Sequence, residues 1–396
     1  MSQTFLLFLS FVLSAITVSS ILRKSGFDLL SGVGGRISIG LGVGPLLISV
    51  LICVCFLVIP RLQDIVYIII VFSIFTLSSV CLNKEFLRKP FVNFSFKKAS
   101  FILTPFFIFL VLNLVMGLFA VLIFPLYSND PLEYFKTAQI LTQYKDLSVY
   151  PIVDVSVSNG FYGPWTHPPG YVALLTWANL LSDGDSHNVG FTGAARLISW
   201  WFSLCTVLLM LSWNKKIGVI AAFLMCSVPI YFAGVSSSHI DAVRIFPVLL
   251  TFIVLQRMVF LNLWESKLYE FILMSSIGLF LCFYTHSIGI IVAPLWGVIL
   301  MFLAPGFSVK QLVQKIKIGL IVAIFFVALS SLFVYSNYKS TGALITDTPV
   351  VWSIDKINHN EYVNAQRKID TPLKKFINGV MKGLVNLTSY GAIFWL

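Results

Sequence analysis

Two uncharged stretches, residues 65–82 (IVYIIIVFSIFTLSSVCL) and 101–124 (FILTPFFIFLVLNLVMGLFAVLIF), flank the segment 83–100 (NKEFLRKPFVNFSFKKAS). A helix needs about 20 apolar residues to cross bilayer hydrocarbon, and both stretches come close to or exceed that length. The segment between them carries Lys84, Arg88, Lys89, Lys97 and Lys98 against the single acid Glu85. Cytoplasmic loops of membrane proteins hold an excess of Lys and Arg, so 83–100 is expected inside and residues 125–167 outside. Uncharged windows of the same kind recur at 41–59, 217–235 and 318–335.

Composition agrees with this reading. The 396 residues are 58% hydrophobic and 11% charged, with a mean hydropathy of +0.92. A soluble domain cannot hide that much apolar surface, because its exterior must stay wet. The net charge of +11 would suggest a nucleic-acid partner in a soluble protein; here it is expected to sort by membrane side, with no nucleic acid involved. Residues 5–22 lack a basic leader and an evident cleavage site, and read as a retained span. Cys53, Cys55, Cys81, Cys205, Cys226 and Cys282 all fall in apolar windows, without metal-type spacing or a wet loop in which a disulfide would serve.

The expected fold is all-α: a polytopic transmembrane bundle of about ten spans, with external juxtamembrane helices. The spans are 5–22, 41–59, 65–82, 101–124, 191–212, 217–235, 242–263, 270–285, 288–304 and 318–335. A further stretch, 168–182, is short and starts with Pro168-Pro169. Were it to cross, Lys215, Lys216, Lys267, Lys310, Lys315 and Lys317 would all flip outward, so it is expected to be re-entrant or interfacial. The chain divides into a three-span extension (1–100), a transmembrane core with an external loop at 125–190 (101–335), and a last external segment (336–396). The final apolar run, 383–396, is too short to span; it reads as interfacial or as the start of a part that continues in longer proteins.

This sidedness gathers unusual polar residues at one rim: Asp130, Glu133, Tyr134, His167, Arg196, His239, Asp241, Arg244 and His286. Ionisable residues near spans are costly and tend to be functional. Local structure offers a second account of several. Asp130-Pro131 followed by Glu133 has the pattern of an N-cap with a capping box. Arg244 lies three residues after Asp241, so an i,i+3 ion pair accounts for both. Arg196 could snorkel toward the interface.

Four runs in order, Thr166-His167-Pro168-Pro169-Gly170-Tyr171, Gly193-Ala194-Ala195-Arg196-Leu197, Pro229-Ile230-Tyr231-Phe232 and Ser238-His239-Ile240-Asp241, resemble the GT-C glycosyltransferases. Within that family the runs look like those of the bacterial lipid-A aminoarabinose transferases and the protein O-mannosyltransferase-like group. Those proteins carry an external Asp with a Tyr four residues on, the spacing of Asp130 and Tyr134. The likeness spans roughly residues 125–300. Where the family has lysines expected to face a lipid phosphate, this chain has His167 and His286.

The resemblance implies transfer of a sugar from a polyprenyl-phosphate lipid to a hydroxyl of a glycan, lipid or protein, on the external face of the plasma (inner) membrane. Asp130 is then the general base, with Asp241 as the second catalytic carboxylate. Glu133, Tyr134, His167, Arg196, His239, Arg244 and His286 line the substrate, joined by Arg367, with His359, from the last external segment. No cofactor is certain; a divalent metal shared by Asp130 and Asp241 is an alternative. The competing functions are a lipid or polysaccharide transporter or flippase, and an inactive membrane scaffold of the same fold.

Overall fold

A computed structural model describes residues 3–26, 32–82, 104–123, 126, 129–150, 167–182, 193–260 and 267–341. Among these residues there are helices and no strands. The first four helices are Gln3–Lys24 (α1), Gly32–Val58 (α2), Asp64–Leu82 (α3) and Thr104–Ile123 (α4). Asn129–Tyr144 (α5) and Gly170–Leu180 (α6) follow, then Leu197–Trp213 (α7), which continues a 3-10 turn at Gly193–Arg196. Next come Lys215–Cys226 (α8), Pro229–Ser236 (α9), Ile240–Phe260 (α10) and Leu268–Thr285 (α11). A 3-10 turn at Ser287–Ile291 leads into Val292–Leu303 (α12), and Val309–Thr341 (α13) is the last.

Among the described residues, eight helices are long and apolar enough to cross a membrane: α1, α2, α3, α4, α7 with its preceding turn, α10, α11 and α13. The ninth window, 217–235, is a broken pair: α8 and α9 meet at 74°. The break has a local cause. Pro229 has no N–H and starts a new helix after Val228, whose backbone is extended. The Asn113 side chain on α4 donates to the Cys226 carbonyl, 3.2 Å away, which satisfies a group that hydrocarbon could not. The tenth window, 288–304, becomes the 3-10 turn and the twelve-residue α12, shorter than a full crossing.

Helix ends follow the sequence. α1 closes with Arg23 and Lys24 in its last turn, then Gly26 in the left-handed region at φ 72°, a common helix stop. Asn214 caps α8 by accepting from the N–H groups of Lys216 and Ile217. Lys315 caps the end of α12: its Nζ donates to the carbonyls of Met301, Ala304 and Gly306 at 3.2, 2.6 and 2.9 Å.

One continuous apolar core joins α1, α2 and α3 to α6, α7, α10 and α11. α1 and α2 meet at glycines. A Cβ on Gly40 or Gly44 would lie 2.4–2.7 Å from atoms of Ser14, Ala15 or Ser19, while one on Gly42 would strike the Phe246 ring. This is the small-residue seam by which membrane helices approach closely. The Trp177 indole donates to Ser10 Oγ (3.0 Å) and the Trp201 indole to the Leu41 carbonyl (2.9 Å), so the first helices are bound to the rest by polar contacts as well.

The ends of the bundle differ in charge. At one end Lys145 pairs with Asp64 (2.5 Å) and Arg61 with Asp146 (3.1 Å), tying the α2–α3 turn to the segment after α5. The opposite end holds Arg23, Lys24, Arg36 and Arg257; there Ser38 bonds Ser212 (2.7 Å) and the Arg257 guanidinium donates to the Trp213 carbonyl.

α6 forms within the segment 168–182, which is expected to be re-entrant or interfacial. It has 11 residues, about 16 Å at the helical rise, and is buried on all sides apart from the partly covered Asn179. It fills the space between α2, α5 and α11.

Candidate functional site

The first acidic candidate opens α5. The helix begins at Asn129, so Asp130 and Pro131 stand in its first turn. The side chain of Asp130 lies outside the described residues. One turn on, Tyr134 is buried, 5% exposed. Its ring lies 6.0 Å from that of His167, 5.6 Å edge-on from Tyr171 and 6.1 Å edge-on from His239. Glu133, beside it, is half-buried.

Gly170 brings His167 to its partner. A Cβ there would come within 2.4 Å of the Tyr284 carbonyl, so α6 can start against the end of α11 only with glycine at this position. The approach stacks His167 on His286, the residue that ends α11, with ring centroids 4.0 Å apart and planes at 39°. The Tyr150 hydroxyl donates to the His167 carbonyl and fixes the strand of chain that enters α6.

The third histidine precedes α10. Ser238 holds φ at 60°, a conformation that costs a non-glycine residue roughly 1–2 kcal/mol. It is over-determined by its surroundings: its Oγ donates to the Arg196 carbonyl (3.2 Å), and its own carbonyl accepts from Tyr171 (2.5 Å). The strained turn aims His239 at the start of α10, where its Nδ1 accepts from the Asp241 N–H (3.2 Å). The same nitrogen lies 3.4 Å from Asp241 Oδ2. Arg244 Nε lies 2.9 Å from Asp241 Oδ1, so the i,i+3 pair legible in the sequence is present.

Arg196 does not snorkel. It is 3% exposed and ends the 3-10 turn before α7, joined to the His239 segment through its carbonyl. Arg367 and His359 lie outside the described residues.

His286 departs most from expectation. Burial, then the positive charges of His167, Arg244 and His239, push its pKa down to about 2. It is a neutral imidazole near neutral pH. It can donate one hydrogen bond and supplies none of the charge that a lysine would.

Below Arg244 a groove of about 490 Å³ runs along α10, lined by Ile245, Val248, Leu249 and Phe252 and closed by Gly289, Ile291 and Val292. Arg244 is the one charged residue among those that line it. Among the described residues no group of three or more His, Cys, Asp or Glu is disposed to hold a metal. The Asp241 carboxylate faces Arg244 and His239, which is a poor fit to the shared-metal alternative.

Tyr134, His167, His239, Asp241, Arg244 and His286 thus come from the starts of α5, α6 and α10 and the end of α11. Tyr171, Ser238, Tyr150 and Gly170 were not among the expected site residues. Tyr171, Gly170 and Ser238 sit in runs that carried the resemblance; Tyr150 has no signal in sequence. No protein-family model, curated protein or solved structure matches this chain.

Proposed function

We propose that this protein is a membrane glycosyltransferase that takes its sugar from a polyprenyl-phosphate lipid. The observation that carries the proposal is the apolar groove lined in part by Arg244, whose guanidinium pairs with the Asp241 carboxylate beside a rim of imidazoles. An isoprenoid tail suits the groove by burial of its apolar surface. A phosphate suits Arg244, whose fork bonds two oxygens at once. By the positive-inside rule the end holding Arg23, Lys24, Arg36 and Arg257 is cytoplasmic, which puts the histidine rim outside, on the plasma-membrane reading.

The chemistry divides among the side chains as follows. The acceptor hydroxyl gives its proton to the Asp130 carboxylate as its oxygen forms a bond to the anomeric carbon. The bond from that carbon to the phosphate oxygen breaks, and its electron pair leaves on the phosphate. Arg244 and His167 offset the negative charge that builds there. His286, neutral, donates a hydrogen bond. Asp241, oriented by Arg244 and His239, positions the sugar or the acceptor, with Glu133, Tyr134 and Arg196 behind it.

The broken span gives the transporter reading its one specific support, since transporters build midplane sites on discontinuous helices. Here the residues at the break, 227–230, lie exposed on the outside of the bundle and line no central cavity, so the transferase reading is preferred.

The test is to incubate the purified protein with labelled polyprenyl-phosphate sugars and measure release of lipid phosphate with and without hydroxyl acceptors. Release that depends on acceptor, and that Asp130→Asn abolishes without loss of membrane insertion, supports the proposal. Unchanged turnover in Asp130→Asn removes the base; no release with any donor removes the transferase.

A further inference from the structure

Among the described non-glycine residues, Arg61, Lys145 and Ser238 hold φ positive, at 63°, 50° and 60°. Ser238 belongs to the site. Arg61 and Lys145 belong to two chain reversals that meet. Arg61 follows α2 and Lys145 follows α5, and the Arg61 N–H donates to the Lys145 carbonyl (3.0 Å). Left-handed backbone is costly away from glycine and persists only where the surroundings over-determine it.

Here the surroundings are reciprocal. Arg61 Nη2 donates to Asp146 Oδ2 (3.1 Å), and Lys145 Nζ lies 2.5 Å from Asp64 Oδ1, so each reversal gives a cation to the other's carboxylate. Tyr67, fully buried, braces the α2–α3 turn: its hydroxyl donates to the Ile59 carbonyl (2.8 Å) and accepts from the Leu62 N–H (3.0 Å). Exposed ion pairs add little to stability, so a helix stop with surface charge beside it is the plainer account. Asp146 argues against it. Its Oδ1 accepts from the Ser148 N–H (2.9 Å) and caps a 3-10 turn, Leu147–Val149. That turn rests on α2 and buries Leu147. It ends at Tyr150, whose hydroxyl donates to the His167 carbonyl. A continuous path of contacts therefore runs from the α2–α3 turn to the rim, through Arg61, Asp146, the capped turn and Tyr150 to His167.

Resting on the transferase reading above, we propose that the α2–α3 turn is a positioning element of the site: Arg61, Asp64, Lys145 and Asp146 form a clasp that sets where His167 stands, acting through Tyr150. The resemblance begins near residue 125 and assigns nothing to the three-span extension; the clasp gives that extension a task in the reaction. His167 offsets charge on the departing phosphate only when held at the right distance, and a displacement of about 1 Å caused far from the chemistry can cost on the order of 100-fold in rate. The clasp residues touch no reacting atom. They hold the backbone of a residue that does.

The experiment reads His167 directly and turnover separately. The chain has five histidines, so the full chain with nitrogen-15 histidine in nanodiscs gives few ring signals, and His167→Gln identifies that of His167. Asp64→Lys sets two ammonium groups face to face, and the pair Asp64→Lys/Lys145→Asp restores opposite charges. Tyr150→Phe removes only the hydroxyl that reaches His167. Each protein is measured folded, below its own unfolding midpoint. The His167 signal is expected to move in Asp64→Lys and in Tyr150→Phe, and to return in the swapped pair. In both single variants kcat for release of lipid phosphate should fall by roughly tenfold, with KM for the donor little changed, and the swap should recover it. Asp64→Lys added to Tyr150→Phe should cost nothing further, because both cut one path. A His167 signal unmoved in Asp64→Lys, or losses that multiply in combination, overturns the clasp as a positioning element. A moved signal with unchanged kcat overturns its task in the reaction. An unaltered protein that releases phosphate from no donor overturns the transferase reading, and the histidine signals still decide whether the clasp holds His167.

Discussion

α3 and α7 are both long apolar helices, yet 17% of the crossing window of α3 is buried against 78% of that of α7. α4 and α13 resemble α3 in this respect, whereas α10 and α11 resemble α7. α4, the richest of these in Ile, Val, Leu and Phe, faces outward, whereas α7, which mixes in three Ser, one Thr and three Trp, is inside. In water the order would be reversed. In lipid a leucine gains little by leaving the hydrocarbon, so what drives helices together is close approach at small residues and hydrogen bonds between polar ones. The Ser203–Tyr231 bond (2.8 Å) and the glycine seam of α2 are both of this kind. The inner helices are also those that end at the histidine rim, so the polar residues that hold the bundle together and those that line the site belong to the same set of helices.

The strongest way to break this contrast is to add bulk on each side of it. Gly170→Val puts a side chain where the Tyr284 carbonyl already lies; it should cost roughly 3 kcal/mol and separate His167 from His286. Gly319→Val on α13, where a Cβ meets nothing within 4 Å, should change stability by less than about 0.5 kcal/mol. Thermal unfolding in detergent, with cysteine cross-linking between positions 167 and 286, reads both. Equal losses in the two variants would refute the division into inner and outer helices.

A smaller effect is expected from Lys315→Met. The buried ammonium holds three carbonyls at the end of α12, and leaving them without their donor should cost roughly 1–3 kcal/mol. The loss should appear as faster hydrogen exchange in α12, with the histidine rim unchanged. Exchange that speeds up equally at the rim would mean that α12 and the site are not separable.

The smallest effect is one of pH. His286 binds its proton more weakly in the folded chain than its ordinary value of 6.5. The unfolded state therefore takes up more protons below pH 6.5, so stability is flat above that pH and declines as the pH falls through and below it. His286→Gln should flatten the decline in a series of unfolding midpoints from pH 7.5 to 5. A decline of undiminished slope would show that His286 is not the group resisting the proton.

Helix positions were legible in the sequence because a crossing segment must be apolar throughout, and few other segments are. The gathering of Tyr134, His167, His239, Asp241 and His286 at one rim was also legible, through charge bias alone. The broken span was not, since Pro229 interrupts a run with no change in hydropathy. Nor was the depth of α6: Pro168-Pro169 marks where it starts, but its burial depends on Gly170 meeting a carbonyl more than a hundred positions away. The electrical state of His286 was misjudged for a related reason. Its neutrality comes first from burial and then from charged neighbours that the fold brings near.

α6 has a consequence for how the protein is made. It is too short to cross the bilayer and has no face suited to lipid, and the helix it must rest against begins at Leu268. At ~5–20 residues per second, the ribosome reaches the end of that helix several seconds after releasing α6. Throughout that interval the segment must wait at the membrane surface or in the care of an insertase, and a stall between the two would leave a half-built bundle open to the quality-control proteases.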